Sequence, residues 1–276
     1  MQRFSTIAYR YPSEQGILAF TVLLVFGVIV LTATATFCGS FLFVCLMLGA
    51  AYAGTRARHN DLLEKAEHVT AQNRPGLHEV IRRCDARLQV EPVQTFVVPS
   101  RALNAYTFGL SSPKAIVLYS PLLQMMDADE LAFIVGHEMG HVRLGHTWLN
   151  SLLGGMAGIP SPFMASTILR FAFLWWNRAC EYSADRAGLL ACGRLDKAIS
   201  ALVRLATGTA SRSSEALAVA YQKVDAEDDD PSSAFAELLA DHPLMIKRVE
   251  ELKRWAATAE YKRLQAGVNG NIWSTD

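Results

Sequence analysis

The sequence predicts a mainly α-helical chain with one small β-sheet, an α+β fold preceded by a transmembrane helical hairpin. Three observations predict it. From Gln15 to Thr55 no side chain is charged. Three short segments rich in β-branched and aromatic residues follow one another between residues 93 and 120. A long run with apolar residues at helical spacing then begins at Asp127. With 276 residues, 51% of them hydrophobic, and no net charge, the chain can build one good-sized domain and still have apolar sequence to spare.

The surplus lies at the N-terminus. A single crossing of the ~30 Å hydrocarbon core takes about 20 residues. "GILAFTVLLVFGVIVLTATA" and "FCGSFLFVCLMLGAAYAG" therefore read as two spans, about 16–35 and 37–54, joined near Thr34–Cys38. A cleaved signal would need a polar start after its small residues, whereas the chain after "TATATFC" becomes apolar again. Arg3 and Arg10 precede the first span, Arg56 and Arg58 follow the second, and the turn between carries no basic residue. Both ends are thus expected on the cytoplasmic side. Five cysteines agree, since Cys38 and Cys45 fall in the spans and Cys84, Cys180 and Cys192 suggest no paired framework. A neutral chain lacks the basic footprint of a nucleic-acid binder. The acidic run "DAEDDDP" (225–231) reads as a solvated loop.

Residues 56–276 form the second part. Residues 57–91 read as helix, with Pro75 and Gly76 opening the clearest periodic stretch. "VQTFVVP" (93–99), "NAYTFG" (104–109) and "AIVLYS" (115–120) read as the strands of the sheet. Asp127 and Glu130 have the spacing of an N-cap with its reciprocal acid, so a helix should begin at about Asp127. Residues 149–176 are apolar but broken by Gly154, Gly155, Gly158, Pro160 and Pro162. They read as two short helices on or in the bilayer surface, with a second hairpin or an internal core as alternatives.

The chemistry sits in "VGHEMGHVRLGH" (135–146). His137 and His141 are four apart, so on a helix both imidazoles project from one face and can share one ion. Glu138 lies about 100° round from His137 and can reach a water at that ion without ligating it. His146 stands five residues beyond His141, opposite His137 if the helix continues, and reads as a surface or capping histidine. A third ligand is offered by "NRACEYSADRAG" (177–188). There Glu181 can complete a His₂Glu zinc site, and Asp185, four residues on, can accept a hydrogen bond from a ligating histidine's remote nitrogen.

These motifs together, with "LNAYTFG" before them and "DHPLMIKRVEEL" after, resemble the membrane zinc metallopeptidases of the HtpX and type I CAAX prenyl protease kind, a gluzincin pattern HExxH…ExxAD over about residues 75–255. The resemblance implies a zincin-like metallopeptidase domain with one Zn²⁺ held by His137, His141 and Glu181. It also implies Glu138 as base, Asp185 beside a ligand, and Asn104, Ala105 and Tyr106 along the peptide substrate. "HPxxxxR" puts His242 and Arg248 near the cleft, where His242 is either an oxyanion stabiliser or, in Asp241-His242-Pro243, a helix-start residue. The expected activity is a zinc-dependent endopeptidase acting on membrane or misfolded proteins, multi-pass in a bacterial inner membrane with its catalytic domain facing the cytoplasm. Its partners would be a polypeptide and the lipid bilayer, with no nucleic acid. A non-hydrolytic chaperone on the same fold and a prenyl-protein protease are the rivals. The sequence departs from HtpX proteins in the short, broken insert at 149–176, where those proteins have two further spans.

Overall fold

The structure, a computed structural model, describes residues 5–35, 39–109, 111–149, 164–208 and 245–273, with the isolated residues 215, 216, 219 and 222. The turn at 36–38, the run at 225–231 and residues 150–163 of the insert lie outside the described residues.

The described residues open with a short strap, Ser5–Ser13, that includes a 3₁₀ turn at Thr6–Ala8. Helix α1, Glu14–Ala35, follows, and α2 covers Gly39–Lys65. Helix α2 continues past the expected end at 54 through "TRARHNDLLEK", a run with no Gly or Pro to break it. Among the described residues one helix is long and apolar enough to cross a membrane, Glu14–Leu31, and only 17% of that window is buried. Phe20, Leu23, Phe26 and Leu31 stand more than half exposed along it, so α1 is not the core helix of the domain.

The continuous helix expected over 57–91 is interrupted. A two-residue strand β1, Glu67–His68, follows α2, and Asn73 folds the chain back by accepting from the Thr70 backbone at 2.8 Å and donating to the His68 carbonyl at 2.7 Å. Pro75 then opens α3, Pro75–Leu88, at its first position, where a missing N–H costs nothing. Leu77, Val80, Cys84 and Leu88 form its buried face.

Strands β2 (Val93–Val98), β3 (Ala105–Phe108) and β4 (Lys114–Tyr119) fall where the sequence predicts them. The sheet order is β1-β2-β4-β3, with β2 parallel to β4 and the other pairs antiparallel. Central β4 is buried on both faces, with Ile116, Val117 and Leu118 fully inaccessible, as its unbroken apolar sequence requires. Strand β3 ends the sheet on the side of the next long helix.

A short helix α4, Ser120–Met125, leads to α5, Ala128–Leu144. Asp127 caps α5 as predicted, accepting from Asp129 N and Glu130 N, and Glu130 returns a bond from the Asp127 N–H at 2.9 Å. The other Glu130 oxygen accepts from Arg204 Nε at 3.0 Å, so this buried acid is fully paired. Helix α6, Met164–Cys192, runs without a break from the second half of the apolar insert into the segment bearing Glu181 and Asp185. The glycines and prolines that suggested two short helices all precede it. Helices α7 (Leu195–Thr207), α8 (Met245–Ala256) and α9 (Ala259–Trp273) follow among the described residues. One core, built on Phe133, Met139, Leu189, Leu190, Leu202, Leu252 and Trp255, unites α3, the sheet and α5 to α8. A smaller cluster of Ile17, Trp176, Ala179 and Cys180 packs the base of α1 against α6.

Candidate metal centre

The site depends on how closely α5 and α6 approach. A Cβ on Gly140 would stand 2.6 Å from the Ala187 methyl and 3.2 Å from Ala184 Cα, and one on Gly136 would stand 3.1 Å from Gly188 Cα. The seam of Gly136 and Gly140 against Ala184, Ala187, Gly188 and Ala191 therefore brings the two backbones together. That proximity lets a short carboxylate on α6 reach imidazoles on α5.

His137, His141 and Glu181 converge there, all buried. The two Nε2 atoms are 3.2 Å apart, and Glu181 stands 3.6 Å from His137 Nε2 and 3.4 Å from His141 Nε2 through its two oxygens. A tetrahedron of ~2.0–2.1 Å bonds has edges of roughly 3.3–3.4 Å, close to the separation of the two imidazole nitrogens and to the approach of each Glu181 oxygen to its nearer imidazole, so the three residues fit around one zinc-sized ion. Charge agrees with geometry. Among the described residues Glu138, Glu181 and Asp185 are buried carboxylates, and Arg248 is the buried guanidinium among them. The excess negative charge is that which one divalent cation neutralises.

Around this set the polar groups are saturated. His137 Nδ1 lies 2.9 Å from Asp185 Oδ1, the partner expected for a ligating imidazole. Arg248 grips Asp185 with two parallel bonds, Nε to Oδ2 at 2.8 Å and Nη2 to Oδ1 at 2.6 Å, and its Nη1 is 3.3 Å from Glu181 Oε2. Burial pushes the Asp185 carboxyl up, but the Arg248 guanidinium outweighs it and holds the group below the usual aspartate range. Burial likewise disfavours charge on His141, yet the Glu181 carboxylate lifts that imidazole above its ordinary value.

Glu138, also buried, is met from the sheet. The Thr107 hydroxyl on β3 donates to the Glu138 carboxylate and lies 3.2 Å from its backbone carbonyl. Thr107 directly follows Tyr106, so the strand implicated in substrate binding is fixed to the residue expected to act as base. Asn104 is exposed, and Ala105 and Tyr106 are partly buried. Arg248, expected near the cleft, lies buried on Asp185 and Glu181. His242 lies outside the described residues.

His146 departs from its reading as a surface or capping group. Helix α5 stops at Leu144 and Gly145 takes a left-handed φ of 82°. That turn swings His146 back under the helix, where it is 2% exposed and its Nδ1 faces His141 Nδ1 at 3.0 Å. Burial pushes its pKa down to about 4, so it is neutral at ordinary pH. Behind it stands Glu14, the first residue of α1, with Oε1 3.0 Å from His146 Nε2. A left-handed glycine just after the motif is the one sequence signal that could have redirected the reading of His146.

Comparison with known proteins shows what the chain is similar to. The family model described as peptidase family M48 matches residues 71–256. The plastoglobule-localized metallopeptidase 48 of Arabidopsis thaliana is 28% identical over 238 residues, covering 80% of this chain and 69% of the relative. A protease HtpX homolog of Kineococcus radiotolerans is 26% identical over 143 residues, covering 51% of this chain and 49% of the relative. The crystal structure of S. mikatae Ste24p aligns with a TM-score of 0.48 at 18% identity, over 88% of this chain and 63% of that one.

Proposed function

Since the chain belongs to peptidase family M48 and is thereby a metallopeptidase hydrolysing peptide bonds, we propose that it is a zinc-dependent endopeptidase that cuts polypeptides close to a membrane surface. The observation that carries the reading is the Glu138 carboxylate, buried next to the converging His137, His141 and Glu181 donors. Those three residues would hold the zinc, with Asp185 orienting His137. A zinc ion held there supplies Lewis-acid polarisation and brings the pKa of water towards ~7.

The remaining steps belong to the protein. Glu138 accepts a proton from the attacking water on its carboxylate and returns it to the departing amine, the general acid–base cycle worth about 10²–10⁴-fold. The Thr107 hydroxyl limits the rotation of that carboxylate. The substrate backbone lies along Ala105–Phe108, the strand that carries Thr107, with Asn104 and Tyr106 contacting its side chains. Arg248 keeps Asp185 ionised and holds Glu181 in place. His242 would stabilise the oxyanion.

Membrane proximity is supported by α1, whose apolar side chains are exposed and whose first residue is two hydrogen bonds from His141. The basic residues at 3, 10, 56 and 58 support a cytoplasmic catalytic domain with two spans and a bilayer as its permanent partner. Full-length protein in detergent is expected to bind one zinc per chain and to degrade casein. Glu138→Gln should keep the zinc and lose cleavage by at least ~10²-fold; cleavage at the wild-type rate would remove Glu138 from the reaction. In proteoliposomes a tethered polypeptide should be cut faster than the same sequence free in solution, and equal rates would count against the membrane-proximal substrate.

A further inference from the structure

We propose that His146 and Glu14 form a hydrogen-bonded relay that fixes the tautomer and orientation of His141, making the first residue of the membrane helix a positioning residue of the metal centre. The inference rests on the reading of His141 as a ligand through Nε2.

Proton bookkeeping follows from that reading. A neutral imidazole that binds metal through Nε2 carries its proton on Nδ1. His141 Nδ1 faces His146 Nδ1 at 3.0 Å, so His146 must present a lone pair there and carry its own proton on Nε2. That Nε2 points at Glu14 Oε1, 3.0 Å away, and a carboxylate accepts it. Every donor in the chain meets an acceptor in one direction only, from His141 through His146 to Glu14. His137 reaches its carboxylate directly, at Asp185. His141 reaches one through an intermediate ring, because Gly145 turns His146 into the gap.

Glu14 is itself held. Arg10 and the Ser183 hydroxyl both donate to its carboxylate. The strap before it is bound to the domain by Arg10 Nη2 on the Leu144 carbonyl at 3.0 Å, Tyr11 N on Ser183 Oγ at 2.7 Å and Arg186 Nη1 on the Arg10 carbonyl at 3.2 Å. These contacts set the start of α1 against the end of the motif helix. Cys180 also lies near Glu14 and His146, and the three could be taken for a second metal site. The Arg10 guanidinium on the same Glu14 oxygen opposes a cation there, and both His146 nitrogens are already in hydrogen-bonding positions.

Two measurements on the full chain in detergent test the relay. Zinc affinity is read by competition with a chelator for wild type, His146→Phe, His146→Gln and Glu14→Gln. His146→Phe should weaken zinc binding ~10–100-fold. His146→Gln, whose amide can accept from His141 and donate to Glu14, should stay within about threefold. Glu14→Gln keeps an acceptor without its charge and should fall between the two. Histidine-selective ¹⁵N NMR of the wild type needs no variant to fold, and should find His146 as the Nε2–H tautomer and His141 as Nδ1–H. Wild type that binds no zinc would fail the metal reading itself. One tightly bound zinc with His146→Phe unchanged, or His146 carrying its proton on Nδ1, would overturn the relay alone. Two zinc ions per chain, one lost in Cys180→Ser, would overturn it in favour of a second site.

Discussion

Asp127 shows how a single side chain fixes where the metal-site helix begins. Its carboxylate accepts two backbone N–H groups and pairs with Lys197. Burial raises its pKa, but the Lys197 ammonium and the two N–H groups outweigh that and hold it below the ordinary value of 3.8. A depressed folded pKa contributes stability above the unfolded value, and that contribution is lost as pH falls through the folded one. Asp127→Ala is therefore expected to cost about 1 kcal/mol at neutral pH, measured by denaturant melts in detergent. The gap from wild type should close as pH falls below about 3.8; a gap constant with pH would show that the charge plays no part. The cap was legible because its spacing is local, and so were His137, Glu138 and His141, whose geometry holds inside any unbroken helix. His146 was not, since its place depends on the φ of Gly145, and Glu14 was not, since an acid opening a helix reads as ordinary dipole compensation. Thr107 carried no signal at all, for its contact with Glu138 is set by how the sheet docks on α5.

At the scale of elements, the approach of α5 and α6 decides whether a site exists. In an open helix a glycine costs up to about 1 kcal/mol against alanine, so Gly→Ala normally stabilises. Gly140 reverses the sign, because the added methyl meets the Ala187 methyl at 2.6 Å and the Ala184 backbone at 3.2 Å, neither of which can rotate away. Overpacking of this kind costs about 1–3 kcal/mol, more than the propensity gain. Gly140→Ala should lower the Tm and weaken zinc binding by moving Glu181 off its corner. Gly76→Ala in α3, with nothing within 4 Å of the new methyl, should leave Tm unchanged or higher. Equal effects of the two would mean that the seam is not what holds the helices together. The strands were readable from composition because each is short and bounded by turn residues. The break between α2 and α3 was not, since one Asn73 side chain makes it by bonding to Thr70 and His68. The start of α6 at Met164 was hidden by the glycines and prolines just upstream, which made a continuous helix look fragmentary.

For the whole molecule the question is how the catalytic domain sits on its anchor. The base of α1 is not a loose tether: Ile17 packs with Trp176, Ala179 and Cys180, and Glu14 is fully buried in the domain. Beyond that base α1 turns outward with its apolar side chains uncovered. Trp175 meets Phe20 edge-on at 6.2 Å and is 49% exposed, while Trp148, on the helical turn at 146–149, is 51% exposed. If α1 spans the bilayer as proposed, half-exposed tryptophans around its foot lie at the level where indoles favour the membrane interface. On the proposed topology these two rings rest at the headgroup boundary, which puts His141 and its neighbours just above the bilayer rather than in bulk water. Trp176 and Trp255 are buried in the protein and should not sense lipid. In proteoliposomes, and in a Trp273→Phe background that removes the fifth tryptophan, lipids brominated high on the acyl chain are therefore expected to quench the fluorescence more than lipids brominated near the chain end. Trp148→Phe and Trp175→Phe should each remove part of that quenching, and the double variant most of it. Undiminished quenching in the double variant, or stronger quenching by deep bromines, would place the domain at a different depth and separate the metal centre from the membrane surface.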